Sequence, residues 1–311
     1  MTNTLKGRSL ISMTDLSKDE LKLVLDTAAD VKRSPQRYAA KFAGKTLGMI
    51  FQKPSLRTRV SFEAGMTQMG GHAIYLAPSD IKLGERETTE DIAIVLARFC
   101  DLIMARVFGH DIVVDLAKHA TVPVINGLSD HEHPCQILAD LQTIQERKGR
   151  LAGLSFVYSG DGNNVAHSLM LGGALAGMNV TIATPPGYEP KKEVLADSQK
   201  IAGTTGATIK VTNDLAAAAK GADVIYTDVW ASMGQEAEAA ARRKSFSPYQ
   251  VNAKVMSLTH PECVVLHCLP AHYGEEIEYA VTRTRNSAIF DQAENRLHAQ
   301  KALMILLGGS A

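Results

Sequence analysis

The chain has 311 residues, 45% of them hydrophobic, more than one core keeps absorbing, so two α/β domains of ordinary size are expected. Its 33 Lys plus Arg balance 33 Asp plus Glu, which excludes the basic excess of a general nucleic-acid or anionic-membrane binder. The cysteines (Cys100, Cys135, Cys263, Cys268) form no Cys-x-x-Cys pair, and neither a signal-peptide core nor an apolar run of about 18 residues occurs, so a soluble, cytoplasmic protein without disulfides or structural zinc is expected.

Ser17-Lys18-Asp19-Glu20 has the form of a capping box, and Leu21, Val24, Leu25 and Ala28 follow at helical spacing, which predicts an opening helix. An apolar strand at 46–51 then stops at Gln52-Lys53-Pro54 and hands over to Ser55-Leu56-Arg57-Thr58-Arg59, where Phe62, Met66 and Met69 begin a helical pattern. This is a strand, a turn and a helix N-terminus. Backbone N–H groups without intrahelical partners suit such a place to an anion, and two guanidinium forks plus the Ser55 and Thr58 hydroxyls suit it to phosphate or another multi-oxygen anion. Strand candidates follow at 73–76, 102–105 and 122–125, separated by helical patterns near 87–98 and 110–118. Such alternation indicates a parallel sheet with helices on its faces.

A helix over 134–147, carrying Ile137, Leu138, Leu141 and Ile144, is the expected bridge into a second domain of the same class. There, a strand at 154–158 turns at Ser159-Gly160-Asp161-Gly162-Asn163-Asn164 into a helix that runs to Gly177. Further strands are expected at 180–183, 208–211, 224–227, 264–267 and 288–290. A last helix, 292–307, would return to the first domain to bury Ala302, Leu303, Ile305 and Leu306. The expected fold is thus two doubly wound parallel-sheet α/β domains, 1–147 with 292–311, and 148–291, with a cleft between them.

Open α/β sheets bind ligands outside the carboxyl ends of their strands, and the polar clusters stand there. Arg106 follows one strand, the stretch 126–136 another, Asn163 and Asn164 a third, Asp228 to Gly234 a fourth, and His267-Cys268-Leu269-Pro270 a fifth. In His133-Pro134-Cys135-Gln136 a neutral imidazole and a carboxamide can hold a carbonyl oxygen and an amide together; a helix-capping His is the plain alternative. Gly160-Asp161-Gly162 invites a dinucleotide reading, but Val165 stands at the third glycine of that fingerprint, which speaks against a nicotinamide dehydrogenase. Asp228 and Ser232 can orient an ammonium group, while Cys268 can be a reactive thiol or simply buried. His267, His272, Glu275 and Glu276 match no zinc spacing.

Taken together and in order, these clusters resemble the aspartate and ornithine carbamoyltransferase superfamily from about Ser12 to Leu307. Ser55-Leu56-Arg57-Thr58-Arg59 and His133-Pro134-Cys135-Gln136 look like its carbamoyl phosphate motifs. Asp228-x-x-x-Ser232-Met233-Gly234 and His267-Cys268-Leu269-Pro270 look like the amino-acid motifs of its ornithine branch. The resemblance implies transfer of a carbamoyl group from carbamoyl phosphate to L-ornithine, giving L-citrulline and phosphate, with no metal or organic cofactor. It places Ser55, Leu56, Arg57, Thr58, Lys82, Arg106, His133, Gln136, Cys268, Leu269 and Arg296 around carbamoyl phosphate, and Asn164, Asp228, Ser232, Met233 and Cys268 around ornithine. It also implies a homotrimer, with Lys82 reaching a neighbouring subunit from the flexible loop 79–84. Leu56 departs from the usual Thr and also occurs in relatives acting on N-acylated ornithines. A carbamoyltransferase for putrescine or an acylated ornithine, and a nonenzymatic sensor of small anions or amino acids, are the alternatives; no reactive residue is lost to favour the sensor.

Overall fold

The computed structural model describes residues 3–83, 86–231 and 238–309. They form two compact units, Met1–Gln142 with Glu294–Ala311, and Thr143–Ala293. In chain order the first unit contains α1 (Lys18–Arg33), β1 (Thr46–Phe51), α2 (Leu56–Gln68), β2 (His72–Leu76), α3 (Pro78–Ile81), α4 (Thr89–Phe99), β3 (Leu102–Arg106), α5 (His110–His119) and β4 (Val124–Leu128). Helix α6 (Pro134–Lys148) carries the chain onward. Then come β5 (Ser155–Ser159), α7 (Asn164–Leu175), β6 (Asn179–Ala183), α8 (Lys192–Thr205), β7 (Ile209–Thr212), α9 (Leu215–Ala219) and β8 (Val224–Thr227). The chain ends with α10 (Ala239–Phe246), α11 (Ala253–Met256), β9 (Val264–His267) and α12 (Ile289–Gly308).

Both sheets are parallel throughout, in the orders β2-β1-β3-β4 and β7-β6-β5-β8-β9, so the fold class is that expected. Strands covered on both faces read as continuous apolar runs, and β3 and β8 are buried at every position. In the first unit Ile50, Ile103, Ala105, Val113, Leu116 and Val124 share one core; in the second, Val157, Ile225, Tyr249, Val251 and Val265 do. The capping box forms as read: Ser17 Oγ accepts from Glu20 N (3.2 Å) and the Glu20 carboxylate from Ser17 N (2.9 Å).

Strand order reverses between β1 and β3 in one sheet and between β5 and β8 in the other. A crevice opens at such a switch, because the flanking connections leave to opposite faces. The residues leaving β1, β3, β5 and β8 are therefore the ones best placed to meet a ligand.

Three expectations need correction. Residues 288–290 are not a strand: Ala288 N makes one bond to Val265 O (3.0 Å), and Gln292 N then bonds Ala288 O (2.8 Å), closing the first turn of α12. Strand β4 starts after Pro123, which has no N–H to donate, and runs on to Leu128. Its pairing shifts between Ala105 and Arg106, so Gly127 is the extra residue of a bulge; a Cβ there would lie 2.5 Å from Met104 Sδ. Finally, 79–84 is not all loop, since α3 supplies one helical turn that ends at Lys82 in the left-handed region (φ 41°).

Candidate active site

The first half-site grows from the β1/β3 switch. Ser55, extended at φ −152°, caps α2 by accepting from Thr58 N (3.4 Å). Thr58, 1% exposed, faces inward one turn later, and its Oγ1 gathers Ser55 Oγ (3.3 Å), Arg106 Nη1 (3.4 Å) and Arg296 Nη2 (3.3 Å). Arg106 is the last residue of β3, opposite Phe51, where the bulge re-aims the strand end. Gln136, in the first turn of α6, is locked at both ends: its Oε1 accepts from Arg296 Nη1 (2.7 Å) and its Nε2 donates to Asp140 Oδ1 (2.8 Å). One Nε2 proton remains to donate elsewhere. The Gln300 carboxamide, with its oxygen toward Arg296, accepts from Nη2 (2.8 Å) and Nε (3.1 Å).

His133 immediately precedes α6. Burial first, then the positive charges of Arg296, Arg106 and Arg57, hold its imidazole well below the usual histidine range. It is therefore a neutral side chain among three guanidinium groups, able to give one N–H without itself demanding a counter-ion. Cys135 beside it has its thiol pushed up to about 12 by burial, and its Sγ donates to Asn126 O (3.4 Å), a packing role rather than a reactive one.

The second half-site grows from the β5/β8 switch. Asn163 caps α7, its Oδ1 accepting from Val165 N (2.9 Å) and Ala166 N (3.2 Å), while Nδ2 donates to Asp228 Oδ2 (3.3 Å). Asp228 Oδ1 accepts from Val229 N (2.8 Å) and from Cys268 Sγ (3.0 Å). Behind Cys268, Leu269 holds a left-handed backbone (φ 58°), a conformation that costs a residue with a Cβ about 1–3 kcal/mol unless its surroundings enforce it. The surroundings do: Leu269 N donates to His267 Nδ1 (2.8 Å), so the imidazole proton lies on Nε2 and donates to Glu276 Oε1 (3.0 Å). Both His267 and Glu276 are fully buried.

The glycines of the β5–α7 turn are explained by this chain's own packing. Gly160 has φ 153°, and a Cβ on Gly162 would lie 2.2 Å from Pro190 N, with Gly162 N bonded to Tyr188 O (2.9 Å). The close approach that a dinucleotide pyrophosphate would need is occupied by protein backbone. Carboxylate, imidazole and thiol atoms of Asp228, His267 and Cys268 lie within 4.8 Å of one another, as do ligand-capable atoms of His272, Glu275 and Glu276. In the first set they are joined to neighbours by the hydrogen bonds just given; in the second, Glu276 also accepts from His272 N (2.5 Å).

Of the residues singled out in the sequence, Arg57, Thr58, Arg106, His133, Gln136 and Arg296 gather at the first half-site, with Ser55 as its helix cap. Leu56 beside them is 75% exposed. Lys82 is exposed and none of the bonds above reaches it. Asp228, Cys268 and Leu269 gather at the second half-site, where Asn164 opens α7; Ser232 and Met233 lie outside the described residues. Several participants escaped the sequence reading: Asp140 and Gln300, each four residues along a helix from the side chain it orients, and Arg242, while Asn163 and Glu276 stand in it only as a strand-end asparagine and as a member of a metal-ligand set. Arg242, 6% exposed, donates from Nη1 to Asp161 Oδ2 (2.8 Å) and Trp230 O (3.0 Å), and from Nε to Glu238 Oε2 (3.1 Å). It ties the β5–α7 turn to the segment that follows Asp228.

Known proteins resemble this chain over nearly its whole length. Residues 8–146 match the family model described as aspartate/ornithine carbamoyltransferase, carbamoyl-P binding domain, and residues 152–307 the one described as aspartate/ornithine carbamoyltransferase, Asp/Orn binding domain. The ornithine carbamoyltransferase of Thermococcus kodakarensis is 54% identical over 99% of both chains. A Pyrococcus furiosus relative named as the anabolic ornithine carbamoyltransferase is 52% identical, again over 99% of both. The solved structure of an ornithine carbamoyltransferase from Pyrococcus furiosus superposes with a TM-score of 0.95 at 52% identity, covering 98% of each chain.

Proposed function

The chain belongs to the aspartate/ornithine carbamoyltransferase family, and on that premise we propose that it is an ornithine carbamoyltransferase of arginine biosynthesis. It transfers the carbamoyl group of carbamoyl phosphate to the δ-amine of L-ornithine, giving L-citrulline and phosphate. The observation that carries the assignment of roles is the neutral His133 set among Arg57, Arg106 and Arg296 at the β1/β3 switch. A dianionic phosphate calls for guanidinium forks and a helix N-terminus; a carbonyl about to become an oxyanion calls for a donor that is not itself a competing anion or acceptor.

The first unit binds carbamoyl phosphate. Ser55, the Leu56 N–H, Arg57 and Thr58 hold the phosphate, Arg106 spans phosphate and carbonyl oxygen, and His133, Gln136 and Arg296 hold the carbamoyl group. The second unit binds ornithine through Asn164, Asp228, Ser232 and Met233, with Cys268 and Leu269 beside the attacking amine. The neutral δ-amine places its lone pair on the carbonyl carbon. The carbonyl electrons move onto oxygen, where Arg106, His133 and Thr58 are aimed. Collapse then breaks the carbon–oxygen bond to phosphate, which leaves with that electron pair and takes up the proton the amine loses. Losing one such donor commonly costs ~2.7–4 kcal/mol of transition-state stabilisation. Cys268, its proton directed to Asp228, helps select the correctly oriented amine and forms no covalent intermediate.

The enzyme acts in the cytoplasm as a homotrimer, with Lys82 serving a neighbouring subunit's site; among the described residues no helix is long and apolar enough to cross a membrane. A citrulline assay with wild type and Arg57→Ala tests the assignment. Wild type should form citrulline from carbamoyl phosphate and ornithine in preference to putrescine or N-acetylornithine. Arg57→Ala should lose at least about a hundredfold in kcat/KM while unfolding at an unchanged temperature, because Arg57 is only half-buried. Normal turnover by the variant would remove Arg57 from the phosphate site.

A further inference from the structure

In α12, where Ala299, Ala302 and Leu303 are fully buried, Gln300 is only 1% exposed. A carboxamide in such a place costs free energy unless it is hydrogen-bonded. Here its whole capacity of two acceptor lone pairs and two donor protons is used. The oxygen accepts from Arg296 Nη2 (2.8 Å) and Nε (3.1 Å), while the nitrogen donates to Ser61 Oγ (2.5 Å) and to Arg296 O (3.2 Å). The reverse orientation would set amide protons against the guanidinium, so the partners fix the direction. Ser61, itself buried, sends its one hydroxyl proton to the start of α2, donating to Arg57 O (2.5 Å) with Thr58 O at 3.2 Å.

A hydroxyl that donates to a carbonyl must receive from its next partner, and a carboxamide meets that need while offering its oxygen to Arg296. An apolar side chain at 300 would break both links, and a carboxylate would keep only the second. The result is one hydrogen-bonded line from the Arg57 carbonyl through Ser61 and Gln300 to Arg296, whose Nη1 goes on to Gln136 (2.7 Å) and whose Nη2 reaches Thr58 Oγ1 (3.3 Å). With Nε and Nη2 both held by one oxygen, the plane of the guanidinium is set. We infer that Gln300, acting through Ser61 and Arg296, is a positioning residue for carbamoyl phosphate. It locks the start of α2, which grips the phosphate, to the guanidinium that grips the carbamoyl group. The two grips thereby keep the spacing of one small ligand, and the donors stand in place before the oxyanion forms.

The inference rests on the proposed function, and the experiment separates the two. Wild type, Gln300→Met and Gln300→Glu are compared in steady-state citrulline formation, varying carbamoyl phosphate and ornithine in turn, with urea unfolding measured alongside. Met keeps the length and removes the amide; Glu keeps the acceptor for Arg296 and gives up the donor to Ser61. Gln300→Met should lower kcat/KM for carbamoyl phosphate about tenfold or more, as for loss of a hydrogen bond to a charged group, and leave the ornithine KM within about twofold. Gln300→Glu should recover most of that loss, to within about threefold of wild type. An active wild type with Gln300→Met within about twofold of it in kcat/KM for carbamoyl phosphate overturns the inference alone. Equal losses in the two folded variants also overturn it, as does an ornithine KM that rises as far as the carbamoyl phosphate kcat/KM falls, since a general packing defect would then be the cause. If Gln300→Met does not fold, Ser61→Ala reads the line from its other end: a kcat/KM for carbamoyl phosphate about threefold or more below wild type is expected, and no change overturns the inference. A wild type that forms no citrulline overturns the proposed function and the inference with it.

Discussion

Replacing Arg296 with Met isolates the most heavily used side chain of the first half-site. Arg296 is 2% exposed and the largest fully buried side chain described. Its guanidinium donates to Gln136 (2.7 Å), Thr58 (3.3 Å) and Gln300 (2.8 and 3.1 Å). Met has similar length and adds no charge, so the cavity term is small and the effect is that of the lost bonds. Gln136 Oε1 is left without its short donor, a buried loss of ~1–3 kcal/mol. Relief of the buried charge offsets part of this, so net destabilisation should be about 1–2 kcal/mol. The catalytic effect should be larger. Gln136 would keep only Asp140 to orient it, and the carbamoyl oxygen would lose a charged neighbour, together worth ~2.7–4 kcal/mol, or two to three decades in kcat. Steady-state citrulline kinetics at saturating ornithine, paired with urea unfolding, read both quantities. A kcat within tenfold of wild type in a protein shown to be folded would refute the role given to this network.

Two further perturbations probe buried electrostatics through stability rather than turnover. Arg242→Gln leaves the Asp161 carboxylate, 7% exposed, without its ion pair; burial already pushes that carboxyl above the usual aspartate range against the pull of Arg242. The variant should unfold ~3–5 kcal/mol more easily, with Arg242→Gln/Asp161→Asn recovering part of the loss in urea unfolding; equal stability of wild type and single variant would discard the clamp. For His133, whose folded pKa is depressed, the unfolded chain binds the extra proton first as pH falls below about 6.5. Its contribution to stability is thus present above that pH and lost as pH falls toward the depressed folded value, with a slope of up to ~1.4 kcal/mol per pH unit. Acid unfolding of His133→Gln should lack this slope, and superimposable acid limbs would show that His133 is not held neutral.

What could be read from the sequence follows the range of the forces involved. The capping box of α1 and the strand-turn-helix at 46–59 are local devices, decided by residues three or four apart, and both form as read. The apolar triplet 288–290 is ambiguous by nature, because three residues fit either period. Its fate is settled by Val265, which takes a single bond from Ala288, and by Gln292, whose N–H closes the helix and whose Oε1 accepts from His267 N (2.8 Å). Helix α8 begins at Lys192, and Lys191 before it makes no side-chain cap, so no capping residue announced its start.

The candidate site divides along the same line. Contiguous motifs were legible because each strand end of a parallel sheet delivers its next few residues to one edge, and the chemistry of those few can be judged from their identity. The residues that hold them in place were not. Asp140 and Gln300 left a helical signal, four positions from Gln136 and Arg296, that looks the same as any solvated helix face until burial is known. Arg242 left none, since Asp161 reaches it only through the fold. The Gly-Asp-Gly turn shows why motif spelling is an incomplete argument. A missing third glycine argued against a dinucleotide, but the physical reasons for the two glycines present are a φ of 153° at Gly160 and the Pro190 backbone against Gly162. Filled by the chain itself, that turn leaves its hydrogen-bonding edge to the paired side chains of Asn163 and Asp228, which meet at 3.3 Å.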